Sequence, residues 1–223
     1  MRSVILLSGG IDSSTLAYKL CAEGHETLPL TVIYGQRHKR EVQSAKAIAR
    51  SLDLKLKIAD LSSCRSLFSG SALTSDIAVP EGHYEDESMK LTVVPNRNMV
   101  LLSLAAAYAV SVKAQGVAYA AHGGDHAIYA DCRPDFAQKM REAIQLATGI
   151  ELLPEFITMS KSNVVALGLE LKVPFGLTRS CYKGREKACG CCGTCFERIE
   201  AFKLNHTIDP ISYEISIDWR GCK

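Results

Sequence analysis

The sequence predicts an α/β protein: a Rossmann-like parallel sheet wrapped by helices, with a small helical region near the C-terminus built around cysteines. Three observations predict it. Strand-length apolar runs alternate with helical periodicities, the first run ends in Ser8-Gly9-Gly10, and Cys181, Cys189, Cys191, Cys192 and Cys195 crowd into fifteen residues. Such alternation implies parallel strands joined by helical crossovers, with ligands at the carboxyl ends of the strands. At 223 residues and 47% hydrophobic, the chain suffices for one full core and a small appendage.

Residues 3–8 are apolar enough for a buried strand, and the small residues after Gly10 open a helix over 13–23. A second strand is expected over 26–34 and a helix over 39–52, where Val42, Ala45, Ile48 and Leu52 recur at helical spacing. Leu54 to Ala59 reads as a third strand. The polar, Gly- and Pro-containing stretch from Leu61 to Pro95 exceeds an ordinary connection and predicts a functional loop with short helical pieces, or a lid. From Arg97 to Lys113 a buried helix is expected, then a strand over 116–121. A further helix over 133–148 would place Phe136, Met140, Ile144 and Ala147 on one face. The tail 209–217 alternates like a short edge strand and offers a place for contact between two copies in a homodimer.

Net charge is +2, which does not recommend the whole chain as a nucleic-acid binder. No apolar stretch approaches the ~18 residues of a membrane span, and Met1-Arg2 leads straight into the first strand. A soluble cytoplasmic protein is expected, with no membrane partner and no direct nucleic-acid partner.

Leu7-Ser8-Gly9-Gly10-Ile11-Asp12-Ser13-Ser14-Thr15-Leu16 has the chemistry of a phosphate site for ATP. The glycines permit close backbone approach, the helix start presents free N–H groups and the positive end of its dipole, and the serines add donors. A Walker loop would need a lysine after the glycines. Asp12 stands there instead, so Mg²⁺ and basic residues from elsewhere must balance the triphosphate. The less specific reading of this segment is a Gly-rich turn with no ligand.

Polar groups gather at the other expected strand ends: Tyr34-Gly35-Gln36-Arg37-His38, Pro95-Asn96-Arg97-Asn98 and His122-Gly123-Gly124-Asp125-His126. Taken singly, Asn96 or Asn98 is equally a helix cap and Gly123-Gly124 a turn. Together they predict one cleft. Cys181, Cys189, Cys192 and Cys195 are spaced C-x₇-C-x₂-C-x₂-C, which reads as a structural zinc site with four thiolates and no open position. Cys191 is expected to point away. Free or redox-active thiols and iron–sulfur ligation are the alternatives weighed against zinc. The division that follows is 1–175 for the nucleotide-binding α/β domain and 176–223 for a zinc-binding region packed on it.

The motif Ser8-Gly9-Gly10-Ile11-Asp12-Ser13 resembles the pyrophosphate (PP) loop of the ATP pyrophosphatase superfamily, which implies an adenine nucleotide alpha hydrolase-like sheet. Taken with Tyr34 to His38, Val94 to Asn98, Gly123 to His126, Tyr129-Ala130-Asp131-Cys132-Arg133-Pro134 and Ser180-Cys181-Tyr182 ahead of the cysteine knuckle, the chain is similar to the 7-cyano-7-deazaguanine synthase family. Many members of that family have Gly where Asn96 stands and Pro where Ala130 stands.

The resemblance implies ATP-dependent conversion of 7-carboxy-7-deazaguanine and ammonia to the nitrile base of queuosine biosynthesis, by a ligase forming carbon–nitrogen bonds. The loop type favours AMP and pyrophosphate as products, whereas the family's reaction is usually written with ADP and phosphate. Asp12 and Lys161 are the expected catalytic residues, Lys161 reaching the phosphates unless it is merely a solvated first-turn lysine. Arg37, Arg97, Asn98, Asp125, Asp131 and Arg133 are the expected substrate residues. Of these, Asp131 and Arg133 are candidates for the base unless they form a plain surface ion pair, and Arg97 or Arg37 for phosphate. The alternative function is a PP-loop enzyme that thiolates or aminates a tRNA base, for which Cys132 and Cys64 are the mid-chain thiols. A zinc-stapled nucleic-acid module on an inert carrier is the non-enzyme alternative, and the intact phosphate loop argues against it.

Overall fold

The computed structural model describes residues 1–37 and 40–223. Its parallel strands are β1 (Arg2–Leu6), β2 (Glu26–Ile33), β3 (Lys57–Asp60), β4 (Gly116–Ala118) and β5 (Glu151–Leu153). They form one sheet in the order β3-β2-β1-β4-β5. In the central strand, Val4 pairs in register with Leu28 on one side and Val117 on the other.

Alternation along β1 explains why it is apolar throughout. Val4 belongs to the core on one face of the sheet and Ile5 to the core on the other. The helices are α1 (Ile11–Ala22), α2 (Arg40–Ser51), α3 (Arg97–Ser111), α4 (Pro134–Thr148), α5 (Lys161–Glu170) and α6 (Gly193–Leu204). Leu102, Ala105 and Ala109 of α3 and Met140 and Ile144 of α4 fill the first face. Leu16 and Leu20 of α1, Ile48 of α2, Val164 of α5 and Phe202 of α6 fill the second. The connection from β1 runs to β2 on one side, and the one from β3 crosses back to β4 on the other side of β1, so a crevice opens above the carboxyl ends of β1 and β4.

Several elements differ from the sequence reading. The third strand starts at Lys57 rather than Leu54, because Leu54 and Leu56 pack as a lead-in against the second face. The fourth pairs only as far as Ala118; Tyr119 to Ala121 continue past the edge of the ladder. Three-residue β5 was not anticipated. On α4, Ala137 is buried in place of Ala147, which is exposed. The tail forms no strand of the sheet: Tyr213 makes a single parallel bridge to Ala188 beside the cysteines. Residues 61–95 hold two 3₁₀ turns, Ser62–Phe68 and Glu87–Thr92. They are anchored by Phe68, Leu73 and Val94 packed with Tyr34. His38 and the expected helix start at Lys39 lie outside the described residues. Among the described residues no helix is long and apolar enough to cross a membrane.

Candidate active site

Above β1, Gly9 takes φ +87°, and a Cβ there would meet Ala45 N at 2.4 Å and Glu41 O at 2.6 Å. Only glycine therefore lets the backbone of α2 close on this turn. Gly10 caps α1 without a side chain, which leaves the first N–H groups of the helix free for an anion. Ser8 and Ser13 steady the turn through an Oγ–Oγ hydrogen bond of 3.0 Å, and Ser8 Oγ accepts from Gly10 N at 3.3 Å.

A cavity of about 230 Å³ opens beside this turn. Leu7, Ser8, Gly10, Asp12 and Ser13 line it. Ser14, Thr15 and Leu16 are wholly buried in the packing of α1, and Ile11 is in the core. The sequence reading missed Arg179 and Ser180, which line the same wall. Arg179 N donates to Gly9 O at 2.8 Å, so the region after residue 176 is tied to the loop itself.

Lys161 opens α5, where Ser160 Oγ caps the helix by accepting from Asn163 N. Its ammonium donates to both oxygens of Asp12, at 2.7 and 2.8 Å, and lies 3.1 Å from Glu197 Oε2. Burial works against the Asp12 carboxylate, but Lys161 above all, with the His122 ring beside it, outweighs burial and holds its pKa below the usual value. Burial also opposes the lysine's charge; Asp12 and Glu197 overcome that and raise its pKa. His122 Nδ1 accepts from Gly124 N at 3.1 Å. The ring proton is therefore on Nε2, which faces Asp125, Glu197 and Asp12 at 3.5, 3.7 and 3.9 Å. Asp125 and Glu197 both line the cavity.

Tyr34, Arg97, Asn98, Cys132 and Tyr182 also line the cavity. Asn98 Nδ2 donates to Asp131 O at 3.1 Å and to Cys132 Sγ at 3.2 Å, while Asp131 Oδ2 accepts from Asn98 N at 3.0 Å. Asp131 thus supports the wall from behind. Asn96 occupies the left-handed region at φ +54°, a conformation that glycine enters freely and asparagine tolerates. Arg37 is not brought to the cavity: its guanidinium donates to Ser75 O and Ile77 O. Arg133 is likewise committed, donating to His126 O at 2.9 Å on the surface.

The four spaced cysteines meet, their sulfurs all within 4.8 Å of one another and buried, as a group that could bind a metal ion. Cys189 and Cys195 Sγ are 3.8 Å apart. Backbone N–H groups of Cys191 and Cys192 point at Cys189 Sγ, and that of Cys189 at Cys181 Sγ. Cys191 lies outside the group, where its sulfur accepts from Lys183 Nζ at 3.5 Å. Cys192 caps α6 and Cys195 sits in its first turn, so the cluster fixes the start of the helix that carries Glu197.

Residues 2–206 match the family model described as queuosine biosynthesis protein QueC. The chain is 53% identical over 215 residues to the 7-cyano-7-deazaguanine synthase of Hahella chejuensis, covering 96% of this chain and 93% of that protein. With the 7-cyano-7-deazaguanine synthase of Caldicellulosiruptor bescii it shares 51% identity over 221 residues, covering 98% and 100%. A solved structure of a predicted tRNA methyltransferase subunit from Methanocaldococcus jannaschii superposes with a TM-score of 0.50 at 18% identity. The match covers 76% of this chain and 75% of that one, and the likeness is one of fold.

Proposed function

The chain belongs to the QueC family of queuosine biosynthesis proteins, and on that premise we propose that it converts 7-carboxy-7-deazaguanine and ammonia to 7-cyano-7-deazaguanine at the expense of ATP. The observation that carries the reading is one cavity lined both by the Gly-rich turn with its buried lysine and by Arg97, Asn98 and tyrosines. That lining would suit a triphosphate laid against a planar base bearing a carboxylate.

Making a nitrile from an acid removes two oxygens, neither of which leaves unless activated. The carboxylate attacks the α-phosphorus of ATP and pyrophosphate departs; ammonia then displaces AMP to give the amide. Next the amide oxygen attacks a second α-phosphorus, and loss of AMP with two protons leaves the nitrile. Both carboxylate oxygens end on AMP. Ser8, Ser13 and the open start of α1 would hold the phosphates, and Lys161 would stabilise charge as it develops on them. Arg97, which lines the same cavity, would orient the substrate carboxylate. Mg²⁺ entering with ATP would neutralise the charge that Asp12 adds.

Zinc suits the cysteine group. Four sulfurs at about 2.3 Å from a tetrahedral ion are about 3.8 Å apart, the separation found between Cys189 and Cys195. Closed by four thiolates, it would serve folding and leave no position for chemistry.

Cys132 speaks against the sulfur-transfer alternative. Burial first, then the Asp125 and Asp131 carboxylates, raise its thiol pKa against the opposing pull of Arg97. It therefore stays protonated and a poor nucleophile.

Mass spectrometry of products from protein, ATP, Mg²⁺, ammonium and carboxyl-¹⁸O-labelled 7-carboxy-7-deazaguanine tests the reading. The expected result is the nitrile, with ¹⁸O on AMP. Label on inorganic phosphate would overturn the adenylation route, and no nitrile from metal-replete protein would overturn the substrate.

A further inference from the structure

Lys161 is held by two carboxylates that differ in kind. Asp12 lies in the first turn of α1 behind the phosphate turn, and its side chain keeps 24% of its exposure toward the cavity. Glu197 keeps 9% and Lys161 11%. Glu197 Oε1 is enclosed, since a Cβ on Gly124 would come within 2.7 Å of it, and the His122 Nε2 proton faces it. Helix α6 also grips α5 a second time, where Asn205 Nδ2 donates to Ser162 O at 2.9 Å. Glu197 lies on α6 and Asn205 caps its end, and the same helix is capped at its start by Cys192 and carries Cys195 in its first turn.

We propose that Glu197 is a positioning residue for Lys161: the fixed anion that keeps the amine aimed into the cavity when an incoming triphosphate breaks its pairing with Asp12. The inference rests on the reading of the cavity as an ATP site. Electrostatics sets the direction of the exchange. A phosphate chain on the turn repels Asp12 and attracts the ammonium, and Asp12 is the partner with room to withdraw. Glu197 has no such room. The lysine then pivots about Glu197 instead of swinging freely on its four-carbon stem, so its charge meets the phosphates in one geometry. The cysteine group sets that pivot through α6, which gives a C-terminal metal knuckle a stake in the chemistry without touching substrate.

The test uses the full-length, zinc-bearing protein with ATP, ammonium and 7-carboxy-7-deazaguanine. Glu197→Gln is expected to lower kcat by up to about 100-fold, the cost of misplacing a catalytic group by about 1 Å. KM for ATP and zinc content should stay near wild type, because Ser8, Ser13 and the open start of α1 still bind phosphate. Lys161→Met should lower kcat further, and adding Glu197→Gln to it should cost nothing more, the signature of one residue acting through another. A Glu197→Gln kcat within about twofold of wild type, a loss appearing only in KM, or additive losses in the double variant would overturn the proposal. If Glu197→Gln does not fold, Glu197→Asp carries the test: it keeps the charge but draws the pivot back by one methylene, and an unchanged kcat refutes the role. Wild-type protein run alongside separates the two readings. No nitrile from it sinks the proposed function and this inference together, whereas normal turnover with an unaffected variant overturns only the role of Glu197.

Discussion

Asp209→Ala should be among the most damaging single changes outside the cavity. Arg198 and Asp209 are 1% and 0% exposed, with Arg198 Nε and NH2 donating to the carboxylate at 2.6 and 2.8 Å. Tyr213 Oη and Ile211 N also donate to it, at 2.6 and 3.2 Å. Burial alone would lower the Arg198 pKa, but Asp209 raises it, so the guanidinium stays charged. Removing Asp209 leaves a buried guanidinium whose acceptors among the described residues are Thr178 Oγ1 and Phe175 O. Losing one partner of a buried pair costs about 3–5 kcal/mol. For a chain of this length each kcal/mol moves Tm by about 2–4 °C, so a fall of about 6–20 °C is expected. Thermal and urea unfolding measure it. The control is Arg198→Met with Asp209→Leu, which removes both charges and should recover most of the loss. A fall of less than about 3 °C for Asp209→Ala, or a double variant no better than the single, would refute the reasoning.

Further changes bear on the loop, the cysteines and acid stability. Gly9→Ala places a Cβ 2.4–2.6 Å from backbone atoms of α2 and at a φ of +87°; no side chain can move to relieve it. Loss of soluble protein or of ATP binding by calorimetry is expected, at a cost above the ~1–3 kcal/mol of ordinary overpacking. Stripping metal with a strong chelator should release about one zinc per chain, lower Tm and abolish turnover, and zinc readdition should restore both; metal-free protein with unchanged Tm would contradict a structural site. For pH, the Asp12 pKa is depressed by Lys161 and His122 in spite of burial. Its contribution to stability is therefore complete above the unfolded carboxylate value of about 3.9 and lost as pH falls through the lower folded value. The stability gap between wild type and Asp12→Asn should hold from neutrality to about pH 4 and close below it, as read by urea midpoints.

What the sequence disclosed follows from the range of each signal. The phosphate turn and the cysteine spacing are local, and each is carried by contiguous residues whose backbone geometry permits little else. Arg37 and Arg133 read as anion binders because an arginine in a loop advertises charge, but a chain that must satisfy backbone carbonyls of a long segment uses guanidinium forks for that as well, as both do here. Three-residue β5 is too short for periodicity to register, and the alternation of the tail reflects one bridge to Ala188 and the burial of Asp209, not a place in the sheet.

Glu197 shows the limit most clearly. In sequence it is a glutamate in an ordinary amphipathic helix, two residues after a cysteine, and nothing local separates it from Glu200 on the next turn. Its meaning comes from pairing with Lys161 on a different helix, and through that lysine with Asp12 at the opposite end of the chain. A parallel sheet makes such meetings routine, because every crossover returns the chain to the same edge. The residues that close a site there come from whichever elements pack against that edge, however late in the chain they lie. Here one such element is α6, and its cysteine-capped start is what a chain needs when a helix added outside the sheet must still hold one side chain in register with the phosphate turn.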